Sequence, residues 1–164
     1  MSARSVAGVR TADLSDAEGD RLLPCVLPWR SFGGASSFSG EAATIACRDD
    51  NGLVRDALSR PGHGRVLIVD AGGSLGAALV GDVLAELAQR NGWNGMIVHG
   101  AVRDVVGLCE LDVGVLALGT NPRRGSQEGT GEQGIAVTFG GVTVRPGCRV
   151  FADEDGVLVE AGDR

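Results

Sequence analysis

Three short runs, RVLIVD (65–70), GMIVHG (95–100) and DVGVLALG (112–119), are almost continuously apolar and lack the alternation of a half-exposed strand. A strand apolar on both faces must be covered on both, which predicts a parallel sheet between two layers. The stretch AGGSLGAALVGDVLAELAQRNG between the first two runs is long enough for a crossover connection. It reads either as one long helix from Ser74 or, the reading we prefer, as AALV extended with a break at Gly81. Asp82 then caps a helix running to about Arg90, and Asn91-Gly92 ends it.

The flanking segments are shorter and richer in glycine. TADLSDAEGDRLL offers Thr11, Asp13 and Ser15 as caps for a short helix. FGGASSFSGEAATIACRDD carries strand-like patches that end near Asp49 and Asp50, and NGLVRDALSRPGHG predicts a helix stopped by Pro61. After the third apolar run comes the loop TNPRRGSQEGTGEQG. The tail IAVTFGGVTVRPGCRVFADEDGVLVEAG alternates like β-hairpins, with turns at Gly140-Gly141 and Asp155-Gly156. The expected fold is one α/β domain over residues 1–164, with a β-rich C-terminal part.

Composition excludes several chemistries. All 15 basic residues are arginine, and lysine and tyrosine are absent. Without a side-chain amine, a lysine-imine aldolase, a pyridoxal-phosphate enzyme and a Walker P-loop are all ruled out. The net charge of −6, with no basic concentration, argues against direct nucleic-acid binding. No apolar run approaches the 18 or so residues of a membrane span. The opening MSARSVAGVR lacks an apolar leader, and Cys25, Cys47, Cys109 and Cys148 are scattered without a CxxC pair. Together these features predict a cytoplasmic protein with reduced thiols.

The segment GGSLG (72–76) matches the G-x-S-x-G nucleophile elbow, with Ser74 as nucleophile and His99 as the one downstream histidine. Too little chain precedes it for the usual sheet, so a glycine-rich turn is the better reading. VDAGGSLG also loosely resembles a nucleotide-fold glycine motif, but Ala71 stands where its first glycine belongs. His63 reads as a loop residue, and His99 is left without a role. Arg103-Asp104, directly after an apolar strand, is more informative. Asp82 precedes Arg103 by 21 positions, giving D-x20-R-D. Adjacent parallel strands have their carboxyl ends on one edge, so the three side chains can converge there. Gly81-Asp82-Val83-Leu84, opening the helix, would present free backbone N–H groups to a carboxylate. A structural salt bridge with a helix cap is the competing reading of the same residues.

With these residues in place, the chain resembles the RraA-like proteins, which include regulators of ribonuclease activity and metal-dependent 4-hydroxy-4-methyl-2-oxoglutarate aldolases. TADLSDA, FGGASSFSG, LVGDVLAELAQRNGWNGMIVHGAVRDV, LGTNPRR and FGGVTVRPG carry the resemblance over nearly the whole chain. It implies a β/β/α swivelling-type domain in a homotrimer with clefts between subunits. It further implies a divalent metal (Mg²⁺ or Mn²⁺) on Asp104, substrate binding by Arg103 and the Gly81–Leu84 backbone, and a catalytic water oriented by Asp82. The implied reaction releases pyruvate from a small 2-oxo acid, with oxaloacetate decarboxylation as a side activity. The implied alternative is a protein that binds and regulates a ribonuclease without catalysis. Larger aldolases of the family carry a C-terminal extension into the neighbour's site, whereas this sequence stops at Arg164; Glu128 or Glu132 is the candidate substitute. Cys148 replaces an expected acidic residue. Regulator-type members can lack the Asp after the arginine, and this chain keeps it.

Overall fold

The computed structural model describes residues 10–162; the opening segment read above for a leader lies outside them, as does Arg164. The three apolar runs form β4 (Val66–Asp70), β6 (Gly95–Val102) and β7 (Gly114–Thr120), paired in parallel. A fourth parallel member, β3 (Phe38–Ala46), lies beside β4. Strand β3 also has a second partner. Its first residues pair antiparallel with β11 (Arg149–Asp153), and its last five pair with β4. Through β11 the sheet continues to β12 (Gly156–Glu160) and β1 (Leu22–Cys25), while β2 (Arg30–Ser31) closes the far edge on β7. The turn at Asp155-Gly156 joins β11 to β12, and Gly140-Gly141 joins β9 (Val137–Phe139) to β10 (Val142–Val144), both as expected.

The two-faced burial inferred from sequence has a direct structural counterpart. In β4, Leu67 and Val69 pack against α2 (Gly52–Leu58) and α3 (Asp82–Arg90), meeting Val54, Leu58, Leu84 and Ala88. Val66 and Ile68 face the opposite way, into the antiparallel layer with Val142, Val144, Val150 and Val159. The architecture is therefore mixed α/β, layered β/β/α, with helices on one side of the parallel strands. Each fully buried valine or leucine contributes about 1.5–3 kcal/mol relative to exposure, so the parallel strands are the energetic centre of the fold. No helix among the described residues is long and apolar enough to cross a membrane.

Several local features differ from the sequence reading. Helix α1 (Thr11–Glu18) has no side-chain cap; Thr11 instead gives its amide and hydroxyl to Asp153 of β11, each at 2.7 Å. Asp153 is buried and also accepts the Asp155 amide at 2.9 Å, so Thr11 completes the partners of a buried carboxylate. The break at Gly81 is present, preceded by the three-residue strand β5 (Ala78–Val80). Strands β4 and β5 take successive places beside β6, and the 71–77 loop leaves the sheet between them. A one-turn helix, α4 (Val105–Leu108), follows β6 and was not expected.

Candidate functional site

Strand β6 runs two residues further than its apolar core suggests, which carries Arg103 and Asp104 to the carboxyl edge of the sheet. There they meet the start of α3. The Arg103 amide donates to Val80 O at 3.0 Å, fastening the turn after β6 to the end of β5. Asp104 adopts left-handed backbone, φ 61° and ψ 45°. Asp is among the few non-glycine residues that tolerate this region, at a cost of about 1 kcal/mol. The twist aims its carboxylate back at α3, where Oδ2 accepts the Asp82 amide at 3.2 Å.

This corrects the role expected for Asp82. Gly81 is the N-cap, and Asp82 is the first helical residue, making no side-chain cap. The cap comes from Asp104, on a different element. A side chain at Gly81 would collide with the Asp104 carboxylate, so glycine is required by the close approach. The Asp82 carboxylate lies over the start of α4, where a Cβ on Gly107 would stand 3.0 Å from Oδ2. Of the other predicted residues, Leu84 is buried in the helix-side core, so only its backbone is available, and Val83 is 63% exposed.

Arg103 is loosely held. Its Nη1 donates to Pro122 O at 3.3 Å, and its Nε lies 3.8 Å from Asp104 Oδ2, too far for a hydrogen bond. The Asp104 side chain is 40% exposed, and Oδ1 has no hydrogen-bond partner among the described residues. Asp82, Arg103 and Asp104 line one cavity of about 110 Å³ with Asn51, Arg55 and Arg124. Drug-sized ligands occupy roughly 300–1,000 Å³, so this cavity suits a small acid.

Sequence reasoning missed the neighbouring Asp50, which is 1% exposed. Its Oδ1 accepts the amides of Gly52 and Gly129, and its Oδ2 accepts the Ser126 hydroxyl and the Glu128 amide. Burial alone would raise this carboxyl, but the Gly52, Ser126, Gly129 and Glu128 donors overcome it and hold it well below the usual carboxylate range. Asp50 thereby pins the 126–129 loop beside the cavity. The Gly52 bond, two residues on, is the Asx-turn pattern that the sequence does offer.

The remaining candidates fall elsewhere. The Ser74 hydroxyl donates to Asp49 Oδ1 at 2.9 Å, while His99 Nδ1 meets Asp70 Oδ1 at 2.9 Å and its ring stacks on Phe139. Serine and histidine have different partners, so GGSLG is a turn, with Gly72 and Gly73 at positive φ. The segment leads into β5 and opens no helix, which removes the nucleotide-cradle reading. Glu128 and Glu132 are exposed and do not line the cavity.

A family model described as RraA-like, Aldolase/RraA, matches residues 11–159. The chain belongs to the RraA-like family. Among solved structures of similar fold, an RNA-processing inhibitor RraA from Thermus is 44% identical, with TM-score 0.88 over 95% of this chain and 94% of that one. A protein from Geobacillus kaustophilus, described as an S-adenosylmethionine:2-dimethylmenaquinone methyltransferase, is also 44% identical, with TM-score 0.91 over 94% and 96%. An unusual member of the RNase ES inhibitor RraA family from Streptomyces coelicolor is 27% identical, with TM-score 0.74 over 97% and 84%. Names within this RraA-like group thus span inhibitors and enzymes, and the family alone does not choose between them.

Proposed function

We propose that this RraA-like protein is a divalent-metal-dependent lyase that releases pyruvate from 4-hydroxy-4-methyl-2-oxoglutarate, with oxaloacetate decarboxylation as a side activity. The observation that carries the reading is the under-satisfied Asp104 carboxylate, held in strained backbone beside Arg103 and the α3 N-terminus. Strained backbone with spare ligand capacity is expected where a site serves chemistry rather than stability.

The donor set fits Mg²⁺ or Mn²⁺. No group of three or more ligating side chains exists among the described residues, which disfavours a site caged entirely by protein. Mg²⁺ keeps several waters and needs only one or two carboxylates, which Asp104 and its unpartnered Oδ1 can supply. Held there, the cation would supply Lewis acidity at the keto oxygen of the substrate.

The chain's own groups do the rest. Arg103 faces the charge that develops on that oxygen as the C3–C4 bond breaks, while the 4-hydroxyl proton passes to a water held by Asp82. The Val83 and Leu84 amides, in the first turn of α3, have no intrahelical partner and can seat the 1-carboxylate. Asp82, beside Gly107, holds the water that returns a proton to C3 of the pyruvate enolate. Val83, which lines the cleft, and Val106 on the nearby α4 are 63% and 75% exposed, apolar surface that a second subunit of the expected homotrimer would cover. In that assembly Glu128 or Glu132 of one subunit would reach the site of another.

A coupled pyruvate assay with added Mg²⁺ or Mn²⁺, with and without chelator, tests the reading. Chelator should abolish turnover. Arg103→Lys should lose about 100-fold in kcat/KM, because a point charge cannot reproduce the guanidinium fork. Metal-independent turnover, or none with any small 2-oxo acid, would overturn the lyase reading.

A second reading, a ribonuclease-binding regulator, is favoured by the 44%-identical Thermus inhibitor and by the net charge of −6. An acidic surface complements basic regions of an RNA-degrading partner. Pull-down of a ribonuclease that retains full activity in the complex would count against it.

A further inference from the structure

The cavity has lining residues that the cleavage chemistry above does not use. Arg55 and Arg124 line it, and neither guanidinium has a partner among the described residues. With Arg103, three arginines face two aspartates there, so the lining carries surplus positive charge in a protein whose net charge is −6. Arg124 sits on rigid backbone. Ala78 N donates to Arg123 O at 2.7 Å, Gly125 N donates to Ala78 O at 3.1 Å, and the following loop is clamped by Asp50.

Asn51 is the independent observation. It is 4% exposed, and its backbone is fully engaged, the amide with Ser126 O at 2.8 Å and the carbonyl with the Arg55 amide at 3.0 Å. Its side chain has no hydrogen-bond partner among the described residues, and Oδ1 is buried and unsatisfied. Buried polar side chains are almost always paired, so an unpaired one lining a polar cavity points to a ligand. The two ends of the amide exchange by a half-turn of the group, so the NH₂ can be presented as a donor to an anion.

Resting on the lyase reading, we propose that Asn51 and Arg124, with Arg55, seat the distal carboxylate of a dianionic 2-oxo acid, making Asn51 a specificity-determining residue. The keto end is then held by Arg103 and α3, and the far end by Asn51 and Arg124. A guanidinium and an amide N–H form charge-assisted bonds that a neutral substituent does not repay.

The test compares 4-hydroxy-4-methyl-2-oxoglutarate with monoanionic 4-hydroxy-2-oxopentanoate on the full chain with Mg²⁺. The ratio of their kcat/KM values should fall about 10- to 100-fold in Arg124→Gln and in Asn51→Ala. Arg124 is exposed, so its variant keeps the test sound if Asn51→Ala fails to fold. An unchanged ratio in Arg124→Gln overturns this inference and leaves the lyase reading standing. If wild-type protein turns over neither compound, the lyase reading falls, and calorimetric binding of 2-oxoglutarate against 2-oxobutyrate decides the inference. Tighter binding of the dianion, lost in Arg124→Gln, supports it; equal binding by wild-type protein overturns it.

Discussion

Asp50 and Asp104 both follow parallel strands at the same edge of the sheet, yet the fold treats them in opposite ways. Asp50 is enclosed and accepts four hydrogen bonds, which bind α2 to the 126–129 loop. Asp104 is 40% exposed and accepts one amide, with a guanidinium at 3.8 Å that makes no proper bond. A saturated carboxylate has no capacity left for a ligand and acts as a structural joint. One with spare lone pairs, held in position at a conformational cost, is available to an incoming ion. On the proposed function, the pair separates stability from chemistry around one cavity.

Substitution by asparagine should expose the contrast most strongly. Asp104→Asn preserves a residue type that accepts left-handed backbone, so stability measured in urea should change by about 0.5 kcal/mol or less. Metal-dependent kcat/KM should nevertheless fall about 1,000-fold, since the cation loses its only charged anchor. Asp50→Asn should do the reverse at first order. It removes an ionised acceptor of four buried donors and should cost on the order of 3 kcal/mol of stability. Comparable unfolding by both variants would erase the distinction.

Acid sharpens the comparison further. The Asp50 carboxyl is held below its ordinary value, so its stabilisation is complete above the unfolded-state pKa of about 3.9 and is lost as pH falls toward the folded value. The stability gap between wild type and Asp50→Asn should therefore narrow steadily below about pH 4. A gap that stays constant in urea titrations down to about pH 2.5 would mean Asp50 acts through packing alone.

The smallest effect is expected at Gly81. A methyl there meets the Asp104 carboxylate, so Gly81→Ala should displace the carboxylate and weaken metal affinity about 10-fold, at a stability cost of about 1 kcal/mol. Calorimetric titration with Mn²⁺ reads this directly, and unchanged affinity would show that the Oδ2–amide bond is dispensable.

The sequence made the parallel strands legible because burial on both faces leaves an apolar run with no alternation. The start of α3 was legible for a similar reason: Gly81 interrupts the pattern and Asn91-Gly92 ends it. Convergence of Asp82, Arg103 and Asp104 followed from parallel topology. What could not be read was which acid caps which helix. The Asp82 amide is satisfied from 22 residues away, and the Thr11 side chain turns to Asp153, 142 residues away. Such choices depend on distances across the folded chain rather than on local pattern. Asp50 was hidden for the same reason, since three of its four donors lie 76 to 79 positions later. Asn51 could be found only in three dimensions, because its signal is a missing partner.

The left-handed turn at position 104 also constrains how this site can change over generations. Asparagine and glycine, the residues that accept such backbone most readily, are each one nucleotide away from an aspartate codon. A lineage could therefore silence the proposed cation site in a single step while leaving the scaffold intact, and a second change could restore it.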